Sequence, residues 1–135
     1  MGPIRTLALL AAVSLLLAGA GCAPPFPEEM LRDVDRSLSL DRVRSAPERY
    51  SGTRVLLGGM IVDVKNTAEG TFLEVLQKPL DRGGRPRRTD QTEGRFLAVS
   101  GQYLDAAVYL PGRELTLVGE VSGARSLRLG EIDYI

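Results

Sequence analysis

Hydrophobic and polar residues alternate with a period of two through much of the chain after residue 53, which is the pattern of half-buried β-strands. The alternation is most regular over 114–121, where Leu115 and Leu117 face one way and Glu114 and Thr116 face the other. The pattern predicts five strands, each bounded by turn residues such as glycine and proline. They cover residues 54–64, 71–77, 95–100, 114–121 and 127–134.

Ahead of these strands, the spacing of apolar residues is that of a helix. Leu31, Val34 and Leu38 recur at intervals of three and four residues, which places them on one face of an α-helix. The spacing predicts a helix over 28–40. This apolar stripe is typical of a helix that packs on its own domain, and a partner-binding helix is the alternative.

Two shorter helical turns are also predicted. Asp41 is a candidate cap for a turn that Pro47 ends. Between the third and fourth strands, Leu104 and Val108 lie one helical turn apart, which favours a short helix over 103–109.

Three strands, a short helix and two more strands is the element order of an OB-type barrel. We therefore predict a mainly β fold, a five-stranded OB-like β-barrel preceded by a short N-terminal helical segment. The Gly58–Gly59 pair in the middle of the first strand fits this architecture, because glycine lets a strand bend sharply or pass close to another backbone. An open sandwich of two thin sheets is the alternative.

The first 22 residues have the organisation of an export signal. Arg5 precedes an apolar run over 7–18, and three small residues then lead to Cys22, an arrangement typical of a cleaved signal peptide. A cysteine directly after such residues resembles the lipobox of bacterial lipoproteins, in which the thiol receives diacylglycerol. A plain secretory cut is the main alternative, and an uncleaved anchor fits less well because a spanning helix needs about 20 apolar residues.

These features divide the chain into four parts. Residues 1–21 are predicted to be a lipoprotein signal peptide and 22–27 a lipidated, proline-rich tether. Residues 28–50 form a helical lead-in, and 51–135 form the OB-like barrel domain. Ala23, rather than an aspartate, follows Cys22, which by resemblance to Gram-negative lipoproteins implies transfer to the outer membrane.

Composition excludes several function classes. The chain has 17 basic and 17 acidic residues, one cysteine and no histidine. Removal of Arg5 with the signal leaves a net charge of −1, which argues against a general polyanion binder. Without histidine, hydrolases that depend on a Ser–His–Asp or Cys–His pair are excluded. The usual zinc, haem and iron–sulfur ligand sets are absent too, and we predict no cofactor and no metal site.

Basic residues are concentrated in the loop that follows the second strand. Lys78, Arg82, Arg85, Arg87 and Arg88 surround Asp81 and give this stretch a local charge of +4. Arginine forms paired hydrogen bonds with phosphate, so these five residues are candidates for contact with an anionic surface. A solvated loop without a ligand is the alternative.

Glu74 and the aromatic content bear on two other functions, catalysis and nucleic-acid binding. Glu74 stands between apolar neighbours in the second strand, and an outward-facing residue or a partner of a basic neighbour explains it better than catalysis. Nucleic-acid binding by an OB barrel needs stacking aromatics, and this chain has no tryptophan. We therefore expect no nucleic-acid partner.

With these segments in place, the chain resembles the Slp family of outer-membrane lipoproteins. The order and spacing of several short pieces carry the resemblance. They are 47–52 (PERYSG), Val55 with Gly58, Gly59 and Ile61, 71–76 (TFLEVL) with Pro79 and Leu80, 94–96 (GRF), 103–105 (YLD), 112–116 (GRELT) with Gly119, and Gly130 and Glu131 with Tyr134. The chain departs from the family at Leu57, where relatives tend to have tryptophan, and at Ala106, where they tend to have proline.

The resemblance implies a non-catalytic lipoprotein of the outer membrane, anchored by acylated Cys22, facing the periplasm and serving envelope maintenance or stress tolerance. Its implied partners are membrane lipid, the lipoprotein processing and sorting machinery, and an envelope protein. A periplasmic module that binds a small ligand or oligosaccharide is the alternative. An open concave face around 55–64 and 73–77 would favour that alternative, and a covered face would argue against it.

Overall fold

The computed structural model describes residues 26–123, 127–129 and 132–134. Within these ranges the chain forms three short helices and six strands. They are α1 (Glu28–Leu31), α2 (Leu40–Ser45), α3 (Pro47–Tyr50), β1 (Arg54–Thr67), β2 (Gly70–Gln77), β3 (Arg95–Ser100), β4 (Glu114–Glu120), β5 (Leu127–Leu129) and β6 (Ile132–Tyr134).

The main sheet has the strand order β3-β2-β1-β4, and every neighbouring pair is antiparallel. It curls into a half-barrel, so the prediction of a mainly β fold is confirmed. The five-stranded OB-like barrel is not confirmed. In place of one fifth strand over 127–134, β5 and β6 pair with each other as a separate two-stranded sheet.

Strand β1 is the longest strand and has two different partners. Its first half pairs with β4 from Arg54 to Met60, and its second half pairs with β2 from Gly59 to Thr67. Gly59 lies where the two ladders overlap, opposite both Gln77 and Leu115. A bulge then follows between Ile61 and Asp63, and such an extra residue increases the local bend of a strand.

The glycine pair makes this double pairing sterically feasible. A Cβ atom built on Gly59 would overlap the carbonyl oxygen of Leu76 on β2. A Cβ atom on Gly58 would lie 2.6 Å from a Leu80 methyl group and 2.9 Å from the Leu115 carbonyl oxygen. The prediction that a close backbone approach requires this pair is therefore confirmed.

Strand β2 is the centre of the core and is buried on both faces. Thr71, Leu73 and Val75 are buried on one face, and Phe72 and Glu74 are buried on the other. A strand that is covered on both sides reads as a run of buried residues instead of an alternating pattern. No open concave face therefore lies over residues 71–75 of β2.

The negative charge of Glu74, a residue that is only 4% exposed, is balanced by an ion pair. Its Oε1 accepts a hydrogen bond from Arg95 Nη1 at 2.7 Å, and this pair is a salt bridge between β2 and β3. A buried carboxylate is tolerated when it is paired and hydrogen-bonded. The pairing confirms the expectation that Glu74 has a basic partner. Its side chain lies on the face opposite Leu73 and Val75, as expected, although it is buried there.

The predicted helix over 28–40 is wrong beyond its first turn. Helix α1 ends at Leu31, and Val34 instead forms a parallel bridge with Arg54. The side chain of Asp35 accepts hydrogen bonds from the Ser37 hydroxyl at 2.6 Å and the Ser37 N–H at 2.9 Å. Such local side-chain bonds compete with helix continuation, and the hydroxyl bond is the main reason that the pKa of Asp35 lies below its usual value.

The two shorter predicted turns differ from the structure in detail. Ser39, not Asp41, caps α2, because its side chain accepts a hydrogen bond from the Arg42 N–H. Pro47 begins α3 and so ends α2. The predicted helix over 103–109 is wrong. The backbone carbonyl of Asp105 closes a single turn there, because it accepts hydrogen bonds from the N–H groups of Val108 and Tyr109. Pro111 disfavours helical conformation at the residue before it.

We predict that Gly59→Ala destabilises the fold by about 1–3 kcal/mol, the usual cost of forcing atoms into a packed site. The free energy of unfolding, measured by urea titration, checks this expectation. Gly101→Ala is the matched control, because a Cβ atom there meets nothing within 4 Å, and its effect should stay within about 0.5 kcal/mol. Equal stability of the two variants would contradict the steric role of Gly59.

Candidate functional site

The basic residues singled out from the sequence lie on one loop at the end of β2. We call residues 78–88 the cationic loop. The Lys78 N–H donates to the Gly58 carbonyl at 2.9 Å, so the loop begins directly at the bend of β1. The two glycines that permit the bend thus also fix where the loop leaves the sheet.

The backbone of the cationic loop is held by a set of short-range hydrogen bonds. Asp81 makes three of them, because its N–H donates to the Arg85 carbonyl at 2.8 Å, its carbonyl accepts from Gly84 and its carboxylate accepts from the Arg85 N–H at 2.9 Å. The Arg87 N–H donates to the Pro79 carbonyl at 2.8 Å. The Thr116 hydroxyl ties the loop to β4 by donating to the Gly84 carbonyl at 2.7 Å.

The charged groups of the loop face solvent. Arg82, Arg85, Arg87 and Arg88 are all exposed, and their guanidinium groups form no ion pair or hydrogen bond with the part of the chain that the structure describes. Lys78 is different, since it is half-buried and its Nζ donates to the Thr89 carbonyl at 2.7 Å. The structure thus brings all five predicted residues onto one loop. The four guanidinium groups have no partner among the described residues, whereas the Lys78 ammonium group holds the loop by its hydrogen bond to Thr89.

The lead-in segment is fastened to the base of this loop through Glu93. The carboxylate of Glu93 accepts the Leu40 N–H at 2.9 Å, and its backbone N–H donates to Gln77 Oε1 at 2.8 Å. The guanidinium group of Arg44 donates to the carbonyl oxygens of Glu93 at 2.7 Å and Arg95 at 2.9 Å. These contacts join α2, β2 and β3 and hold residues 36–40 beside the loop.

A cleft of about 400 Å³ lies between the lead-in segment, the centre of β1 and the cationic loop. Leu56, Leu57 and Leu80 supply apolar surface, while Arg36 and Gln77 supply polar groups. Sequence reasoning missed Arg36 and Gln77. The bridge between Val34 and Arg54 brings Arg36 to the cleft, and neither residue belongs to a motif that could have identified it.

The start of the described chain also lies beside the cationic loop. Phe26 lines a hollow together with Arg85, Pro86 and Thr116. Cys22, the predicted lipidation site, falls outside the described residues and precedes Phe26 by four positions in the sequence.

Other kinds of site were sought in the same part of the molecule. Over residues 26–123 and the two short terminal strands, no group of three or more acidic, histidine or cysteine residues is placed to hold a metal ion. None of the helices in those ranges is long and apolar enough to cross a bilayer.

Comparison with known proteins identifies relatives of the chain. Residues 20–135 match the outer membrane lipoprotein Slp family. The uncharacterized lipoprotein YeaY of Escherichia coli (strain K12) is 38% identical over 95 residues, which cover 70% of this chain and 49% of the relative. The chain therefore spans about half the length of this curated relative. No solved structure matches the chain.

We predict that Asp81→Ala loosens the cationic loop without unfolding the domain. Loss of the carboxylate removes a hydrogen bond worth about 1 kcal/mol, so local opening should become about fivefold more frequent. Trypsin cleavage after Arg87 and Arg88 should accelerate by the same factor. Asp90→Ala makes the same charge change at an exposed residue of the same connection, and equal acceleration in that control would contradict the role of Asp81.

Proposed function

The chain belongs to the outer membrane lipoprotein Slp family, and we propose that it is a non-catalytic lipoprotein whose acylated Cys22 anchors the domain to the outer membrane on its periplasmic side. The family match that begins at residue 20 includes Cys22 and the two small residues directly before it, which supports the anchor. Neither the family description nor the name of the relative refers to catalysis.

We further propose that the cationic loop faces the lipid headgroups. The observation that carries this proposal is the position of Phe26 beside Arg85 and Pro86, four residues after the anchored cysteine. A tether of at most about 14 Å keeps the loop close to the bilayer whenever Cys22 is inserted. Each basic side chain near an anionic surface contributes about 1 kcal/mol, so Arg82, Arg85, Arg87 and Arg88 together would orient the domain.

A structural role in the envelope follows from this orientation. The domain would be held with its cationic loop against the headgroups, while the connection between β3 and β4 would face away from the membrane. In that connection Tyr103, Val108 and Leu110 are exposed, and an envelope protein is the partner that the family resemblance implies. We therefore propose envelope maintenance or stress tolerance as the physiological role.

A closed OB-like barrel remains part of the proposal. Within the described main sheet, β4 pairs with a neighbour on one side only. Its free edge could accept a fifth strand from the segment that follows it, and closure would remove an edge that is otherwise open to aggregation.

The small-ligand or oligosaccharide alternative required an open concave face around 55–64 and 73–77. Much of that face is closed, since Val55, Ile61, Leu73 and Val75 are each at most 6% exposed. Its open part is formed by Leu56, Leu57, Gly58 and Gln77, which line the cleft beside the cationic loop, and a ligand would enter there.

Two substitutions separate the anchor from the loop. We expect Cys22→Ser to release the mature protein from the membrane fraction, because the other attachment in this proposal is electrostatic and is screened by salt. In the Cys22→Ser background at low salt, the protein should still bind vesicles that contain anionic phospholipid. Adding Arg85→Ser, Arg87→Ser and Arg88→Ser should weaken that binding at least about tenfold.

The control for the loop removes the same charge elsewhere. Arg32, Arg42 and Arg113 are exposed arginines outside the cationic loop, and their triple replacement by serine should change vesicle binding much less. If both triple variants lost the same vesicle affinity, the binding would depend on net charge and not on the cationic loop. Unchanged binding in the loop variant would contradict the proposed headgroup contact.

A further inference from the structure

The cleft between the lead-in segment and the cationic loop has the features of a ligand site that neither the family description nor the relative's name assigns. We propose that it binds the glycerophosphodiester headgroup of a phospholipid. In this arrangement Arg36, Gln77 and Arg82 contact the phosphate, and Leu56, Leu57 and Leu80 lie against the glycerol carbons. The inference deepens the proposed function, because it gives a specific lipid contact to the end of the domain that faces the membrane.

The amide group of Gln77 is the first observation that points to a ligand. Gln77 is only 8% exposed, and its Oε1 accepts the Glu93 N–H at 2.8 Å. That bond fixes the orientation of the amide and directs Nε2 away from Glu93. No described residue accepts a hydrogen bond from Nε2, and Nε2 is not a fully buried atom. Because Gln77 lines the cleft, its two amide protons can be donated there to water or to a ligand.

Two guanidinium groups from different elements border the same cleft. Arg36 comes from the lead-in segment and Arg82 from the cationic loop, and neither forms an ion pair with a described residue. Guanidinium groups form paired, charge-assisted hydrogen bonds with phosphate oxygens. Their backbones are held in place by the Asp35 turn on one side and by the Asp81 hydrogen bonds on the other.

The balance of charge selects a singly charged phosphodiester over inorganic phosphate. Arg36, Lys78 and Arg82 line the cleft together with the carboxylates of Asp81 and Glu93, so the lining carries a net charge of +1. A phosphodiester has one negative charge and matches this lining, whereas the second charge of inorganic phosphate would meet the two carboxylates. Each carboxylate already accepts one backbone N–H, from Arg85 and Leu40 respectively.

Size and position favour a lipid source. A cleft of about 400 Å³ falls within the range of about 300–1,000 Å³ that is usual for small-molecule sites. It shares Gly84 with the hollow that Phe26 lines, so it lies at the end of the domain where the described chain begins. A headgroup in the cleft would therefore come from the same bilayer that holds the anchor.

The test uses the protein purified from membranes in a phosphate-free maltoside detergent. Nuclear magnetic resonance of the Gln77 side-chain amide reports binding at the proposed contact. Glycerophosphoethanolamine, a soluble headgroup without acyl chains, should shift the two Nε2 proton signals in a saturable manner. Inorganic phosphate should bind at least about threefold more weakly because of the two carboxylates, and glycerol should leave the signals unchanged.

Variants complete the test. Arg36→Ala with Arg82→Ala should weaken glycerophosphodiester binding at least about tenfold, as expected for the loss of charge-assisted hydrogen bonds. Arg113→Ala removes an exposed arginine that belongs neither to the cationic loop nor to the cleft lining and should leave the affinity unchanged. Unshifted Gln77 signals, or equal binding by the folded double variant, would overturn the phosphate site.

The comparison of the two ligands also distinguishes a lipid headgroup from free inorganic phosphate. Inorganic phosphate binding as tightly as glycerophosphoethanolamine would overturn the headgroup assignment. Failure of the cleft to bind a phosphodiester would leave the proposed anchor and headgroup contact intact. Membrane attachment through Cys22 and vesicle binding through Arg85, Arg87 and Arg88 depend on residues outside the cleft lining, and each is measured in its own experiment.

Discussion

Strand β1 has to pair with β4 along its first half and with β2 along its second, and both partners are present at Gly59 and Met60. A side chain on the inner edge of this crossing would overlap the Leu76 backbone. The absence of a Cβ atom at Gly58 and Gly59 lets three strands meet there. It also lets β2 end beside Gly58, whose carbonyl accepts a hydrogen bond from the Lys78 N–H. The positions of the cationic loop and of the cleft both follow from this crossing.

The same crossing leaves the first residues of β1 without a β2 partner. Arg54 uses that free edge to bridge Val34, and the Asp35 N–H donates to its carbonyl at 3.0 Å. The lead-in segment thus takes the place that a longer β2 would occupy, and Glu93 and Arg44 lock it there. Phe26, the cationic loop and the cleft therefore lie at one end of the half-barrel.

The strands could be predicted from the sequence because their alternation is local. Strand β3 agrees with its predicted bounds, and β4 ends one residue earlier than predicted. The helix over 28–40 failed because the side chain of Asp35 bonds to Ser37 and because Val34 finds a partner in Arg54. The cleft could not be predicted, since it combines Arg36, Gln77 and Arg82 from segments that only the tertiary fold brings together. The basic residues were recognised as a charge cluster, but the distinction between Lys78 and the four arginines depends on the carbonyl of Thr89.

The mass of the intact protein extracted from membranes tests the central claim most directly. An acylated Cys22 that holds the domain at the outer membrane requires a chain that begins at Cys22 and carries a diacylglycerol on sulfur and an acyl group on the new amino terminus. We expect the measured mass to equal residues 22–135 plus these lipids. A mass equal to the unmodified mature chain in the soluble periplasmic fraction, or a mass that still includes residues 1–21, would contradict the account.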